Sequence, residues 1–143
     1  MAISSDRVIH HIEIASAFNK ETFLEFLKEL VPKLHPCQKY ILMDNVAFHH
    51  SKIIIEFLES KHLKPLFCPA YSPQYNPIEE VFSSLKRQFR KLFIMDAPDM
   101  NFKTAVQQSI QNIASNYSTR PHYIHSFRTH ASQASQASQA SHL

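Results

Sequence analysis

The chain has 143 residues, 44% of them hydrophobic and 19% charged, with 15 Lys and Arg against 12 Asp and Glu for a net charge of +3. This is enough chain for one ordinary core, and the balance is that of a globular domain, which excludes a collagen-like or wholly disordered polymer. Two cysteines, Cys37 and Cys68, exclude a disulfide framework and a zinc site of four thiolates. No apolar run reaches the length of a membrane span and the first residues carry no signal-peptide pattern, so an intracellular protein without a membrane partner is expected.

There is no glycine. Every turn falls to Pro, Asn, Asp or Ser, and positions that want positive φ are expected to be strained or filled by Asn, as in a drifted or cut-down sequence.

In chain order, Arg7–Ile14 carries apolar residues at Val8, Ile9, Ile12 and Ile14 and reads as a strand, with Asp6 in the turn before it. Asn19 is placed to cap a helix over Lys20–Val31, in which Phe23, Phe26, Leu27, Leu30 and Val31 recur at helical spacing before Pro32 stops it. Tyr40–Met43 is a short apolar run ending at Asp44, the pattern of a buried parallel strand. Ser51 is read as the cap of a helix to about Ser60, and Leu63–Phe67 as another strand. The three prolines of Cys68–Pro77 demand an extended loop. Asn76 as cap, Pro77 at the first helical position and Glu79 at the third then start a helix that should reach about Phe93. A last helix over roughly Met100–Ala114 aligns Phe102, Ala105, Val106, Ile110 and Ile113. From Ala131 an ASQ repeat has nothing to bury, so residues 129–143 are expected to form a disordered tail behind a domain over 1–128. Strands alternating with helices predict an α/β layer structure.

Two carboxylates stand where chemistry is done in such folds. A carboxylate at the carboxyl end of a parallel strand faces the crevice where α/β sheets hold ligands, and Asp44 occupies that place. Glu79 enters in the first turn of a helix. Mg²⁺ takes hard oxygen ligands, commonly one or two carboxylates together with substrate phosphates. At about 100° per residue, Ile78, Val81, Phe82, Leu85, Phe89 and Leu92 make one apolar stripe, Glu79 lies on its shoulder and Glu80 is expected in solvent. Lys86 and Arg90 share the angular row of Glu79, a row suited to a phosphate backbone approaching a metal, while Arg87 and Lys91 share that of Glu80. His10, His11, His122 and His125 show no metal-ligand pattern, Ser72 lacks a nucleophile-elbow context, and Cys68 beside Pro69 reads as a small buried hydrophobe.

Met43-Asp44-Asn45 with His49, followed by Pro69, Tyr71, Ser72, Pro73, Asn76, Pro77, Ile78 and Glu79, resembles the DDE domain of Tc/mariner-type transposases and their bacterial insertion-sequence relatives. Residues 45–78 put 34 positions between the two carboxylates, a spacing typical of many members, and the likeness runs roughly from Val8 to Phe127. The resemblance implies a ribonuclease-H-like mixed sheet flanked by helices. It makes Asp44 the second catalytic aspartate and Glu79 the catalytic glutamate, together holding Mg²⁺ or Mn²⁺. Asn45 and His49 are candidates to flank the site, with a core or hydrogen-bonding histidine as the equal reading of His49, and Lys86 and Arg90 hold DNA. The family's first aspartate belongs to an earlier, central strand, so the chain is expected to begin after it and to be a remnant with little activity. Phe82 stands where family helices often have Trp. DNA is the implied partner, a homodimer is left open, and the nucleus of a eukaryote (or otherwise the cytoplasm) is the expected location. A non-catalytic nucleic-acid-binding or subunit-pairing module is the alternative.

Overall fold

A computed structural model describes residues 1–14, 17–69, 76–96 and 99–117. The ASQ tail, the boundary at 128 and positions 70–75 of the proline-rich loop lie outside these residues.

Strands β1 (Ala2–Ile3) and β2 (Val8–His10) form an antiparallel hairpin, followed by helix α1 (Lys20–Leu30) and a 3₁₀ turn, Val31–Lys33. Strand β3 (Tyr40–Met43), a 3₁₀ turn over Ala47–His50, helix α2 (Lys52–Ser60) and strand β4 (Lys64–Phe67) make a right-sized crossover unit, with β3 and β4 parallel and in register from Tyr40↔Lys64 to Met43↔Phe67. Helix α3 (Ile78–Arg90) passes into a π-helical segment, Lys91–Asp96, and helix α4 (Phe102–Asn116) follows. Parallel and antiparallel pairing both occur among the described residues, in two two-stranded sheets flanked by helices, the mixed α/β arrangement expected. Among the described residues no helix is long and apolar enough to cross a membrane.

Local chemistry explains the element ends. Asn19 Oδ1 accepts from the Thr22 amide at 2.9 Å and Thr22 Oγ1 accepts from the Asn19 amide at 2.9 Å, a reciprocal cap for α1. Pro77 already has helical dihedrals, and Asn76 Oδ1 accepts from the Ile78 amide, so the expected Asn-Pro start holds with the regular helix beginning at Ile78. Ser51 makes no side-chain cap to α2. At the other end of α2 the Leu63 amide donates to Leu58 O and the His62 amide to Glu59 O, each at 2.9 Å, while His62 takes φ 58°. This is the reverse turn that glycine usually closes; a histidine, not an asparagine, fills it.

Burial explains the packing. The larger core joins Phe23, Phe26, Leu27 and Leu30 of α1 to Met43, to Ile54 and Leu58 of α2 and to Leu63, with Ile9 and Ile12 against its edge. The smaller core sets Val81 of α3 against Ile113 and Tyr117, with Met1, Ile3 and Val8 beside them. The hairpin thus serves both cores, and Tyr117 Oη donates to Ser4 O at 3.1 Å across the second.

The α3 interface differs from expectation. Its buried line runs through Pro77, Val81 and Ser84, while Ile78, Phe82, Leu85 and Phe89 are only half-buried. The small Ser84 side chain lies buried on the covered side, and the covered face is rotated from the apolar stripe toward Glu80. Phe102 is 63% exposed instead of facing the core, because it meets Phe89 and Phe93 in an aromatic cluster at 5.2 and 6.0 Å; Ser109 and Tyr117 fill the α4 face instead.

Candidate active site

Met43 is buried and ends β3, so the next residue leaves the ladder at its carboxyl end, and Asp44 stands there with its side chain 53% exposed. The following 3₁₀ turn, closed by the His49 amide donating to Val46 O at 3.0 Å, folds the chain back on itself. That return carries His49 under Asp44: Nδ1 lies 2.8 Å from Asp44 Oδ1 and 3.1 Å from Asp44 O. Both neighbours are acceptors, so Nδ1 bears the proton and donates. The ring is 8% exposed, between Phe23 at 4.2 Å and Phe48 at 4.5 Å. Among the described residues no hydrogen bond or ion pair falls on Asp44 Oδ2, the other oxygen of this half-exposed carboxylate.

The same five-residue offset recurs one position on. His50 Nε2 meets Asn45 Oδ1, and the His50 ring stacks on Phe67 of β4 at 3.9 Å. Asn45 is therefore held by His50 and not by Asp44. His50 and Phe67 were not singled out from the sequence; the adjacent histidines at the same distance from Asp44 and Asn45 were the available signal. Cys68 follows β4, its amide donating to Met43 O at 2.8 Å. Burial, then the Asp44 charge, push its thiol up to about 11, so it is the inert buried residue expected.

Glu79 and Glu80 divide differently from the helical-wheel expectation. Glu79 is exposed, whereas Glu80 is half-buried with one carboxylate oxygen, Oε2, closed off from solvent. The rotation of the covered face past Ser84 brings Glu80 toward the core and turns Glu79 outward. Glu79 still shares its outward row with Lys86 and Arg90, all three exposed. Arg87 and Lys91, expected on a separate solvent face, join Lys86, Arg90 and Ser83 around one shallow depression of ≈ 640 Å³, with Arg87 Nη2 donating to Ser84 Oγ at 3.2 Å. The structure brings Asp44, His49 and Cys68 together and gathers the four cations of α3 and its extension. Asp44 finds its partner in His49 rather than on α3. Among the described residues no group of three or more His, Cys, Asp or Glu is placed to hold a metal.

A half-exposed carboxylate at the end of a parallel strand, with one oxygen clamped and the other open, suits a hard divalent cation, and a cationic helix face suits phosphate. These are features of nucleases that transfer phosphoryl groups in DNA. The family model for DDE superfamily endonucleases matches residues 2–101, and the chain belongs to that family. No curated protein matches it. Membership supports a transposase-type nuclease domain; DDE endonucleases act on DNA, and the superfamily generally uses divalent metals.

Proposed function

We propose that the chain is the part of a Tc/mariner-like transposase that holds one edge of the metal site and grips DNA. The observation that carries the reading is Asp44 at the carboxyl end of β3, held by His49 through Oδ1 and open at Oδ2. Asp44 and Glu79 would hold Mg²⁺ or Mn²⁺, and Lys86 and Arg90, joined by Arg87 and Lys91, would hold backbone phosphates. When bound, the metal stabilises the charge that develops on attacking and leaving oxygens in phosphoryl displacement. The chain's own residues then have three tasks: Asp44 and Glu79 present hard oxygens, the basic face fixes the strand against them, and His49 fixes Asp44. DNA integration, a nuclear location and pairing of two copies belong to this reading.

The matching motifs supply two of the family's three carboxylates, Asp44 and Glu79, and the nuclease reading expects slow nicking from them. A second reading, a DNA-binding module without catalysis, is favoured by one observation: the described residues assemble no group of three potential ligands. Nicking of supercoiled plasmid in Mn²⁺ separates the two. Slow nicking that disappears in both Asp44→Asn and Glu79→Gln supports the nuclease; DNA binding with no nicking above that of either variant supports the module.

A further inference from the structure

We infer that His49 is the positioning residue of Asp44, restricting it to a single open oxygen toward a cation; the inference rests on the metal-site reading above. Asp44 is half exposed beyond the end of its strand, and an aspartate so placed would exchange rotamers freely. Three features remove that freedom. The Nδ1–H of His49 reaches both Oδ1 and the backbone O of the same residue, at 2.8 and 3.1 Å, which fixes the carboxylate relative to its own backbone. The imidazole cannot turn away, because it is buried between Phe23 of α1 and Phe48. Phe23 belongs to the larger core, so the orientation of a half-exposed carboxylate is set by the packing of the helix behind it.

The consequence is geometric. With Oδ1 accepting from His49, Oδ2 is the oxygen that keeps both lone pairs, so a cation is met first by that oxygen and from a fixed direction. A single fixed oxygen leaves room around the ion for water or phosphate, whereas an unclamped carboxylate could turn both oxygens to it. Hydrogen-bonding partners of this kind commonly change metal affinity by roughly 10–100-fold when removed.

The test titrates Mn²⁺ into the full chain and follows free Mn²⁺ by electron paramagnetic resonance, alongside thermal unfolding. His49→Ala is expected to weaken Mn²⁺ binding about tenfold or more. His49→Asn, whose amide nitrogen can stand where Nδ1 stands, should recover most of that loss; His49→Gln, which places its nitrogen nearer Nε2, should not. Asn and Gln variants remove the same aromatic packing, so a role in folding alone predicts that they behave alike, and equal affinities overturn the inference. Asp44→Asn provides the control. If it weakens Mn²⁺ binding while all His49 variants match the parent, the inference fails and the metal site stands. If Asp44→Asn has no effect, the metal-site reading fails and takes the inference with it. Nitrogen NMR of the unaltered chain gives an answer that no variant's folding can obscure: His49 must carry its proton on Nδ1, and a neutral ring protonated only on Nε2 overturns the clamp.

Discussion

Replacing Lys86 and Arg90 with alanine should weaken DNA binding chiefly through its salt dependence. Both side chains are exposed and line the same depression as Arg87 and Lys91, on the outward row that begins at Glu79. Each phosphate contact contributes about 0.9 to the slope of log affinity against log salt on duplex DNA, so two lost contacts flatten it by about 1.8. Across a fourfold rise in salt, a slope difference of that size changes the relative affinity about twelvefold, large enough to read by fluorescence anisotropy with a labelled duplex. Since all four cations surround one depression, Arg87→Ala with Lys91→Ala should flatten the slope comparably, and the quadruple variant should lose about 3.6 if every cation meets a phosphate. The sequence alone suggested that the second pair matters less; shared lining of one depression removes that distinction. An unchanged slope in the quadruple variant would refute the assignment of this face to DNA.

His62→Gly should stabilise the fold by about 0.5–1 kcal/mol, raising the urea midpoint, because glycine removes the Cβ penalty at φ 58° and returns only part of it as chain entropy. His10, held by burial and then by the Lys33 ammonium below its ordinary pKa against the pull of Glu29, binds fewer protons folded than unfolded. Its contribution is therefore full above its ordinary pKa of about 6.5 and is lost as pH falls from there toward the lower folded value, so stability should drop as the solution is acidified below about pH 6.5, with a shallower drop in His10→Phe. Iodoacetamide at pH 8 should label the exposed Cys37 readily and Cys68 only on unfolding, since a thiol titrating at about 11 is ionised there in about one molecule in a thousand; equal labelling rates would contradict the buried position of Cys68.

Local signals carried most of the fold. The apolar run Tyr40–Met43 is a strand with the predicted bounds, and the cap at Asn19 and the Asn-Pro start of α3 are written in a few consecutive residues. What could not be read depends on neighbours distant in sequence. The hairpin partner Ala2–Ile3 is two residues long, too short for any periodicity, and the strand expected over Arg7–Ile14 shrinks to Val8–His10, as far as that partner can pair. The α3 face was misassigned because a helical wheel ranks side chains by hydrophobicity alone. Packing against Ile113 and Tyr117 selects the line through Val81 and Ser84, leaving Phe82 and Phe89 half-buried and reversing Glu79 and Glu80 in exposure. At the site, Asp44 was legible from its place after an apolar strand, and His49 from its spacing. The clamp itself was not, because it requires a 3₁₀ turn and two aromatic walls, one of them from α1.

Whether Asp44 and Glu79 meet one cation is tested most directly by iron-directed backbone cleavage. Fe²⁺ replaces Mg²⁺ at such oxygen sites, and with ascorbate and peroxide the hydroxyl radicals it generates cut the peptide chain close to the ion. Mass spectrometry of the fragments should show two clusters of cuts, one around residue 44 and one around residue 79, both suppressed by excess Mg²⁺ and both lost in Asp44→Asn. Cuts confined to the neighbourhood of residue 44, with none around residue 79, would contradict a shared metal site.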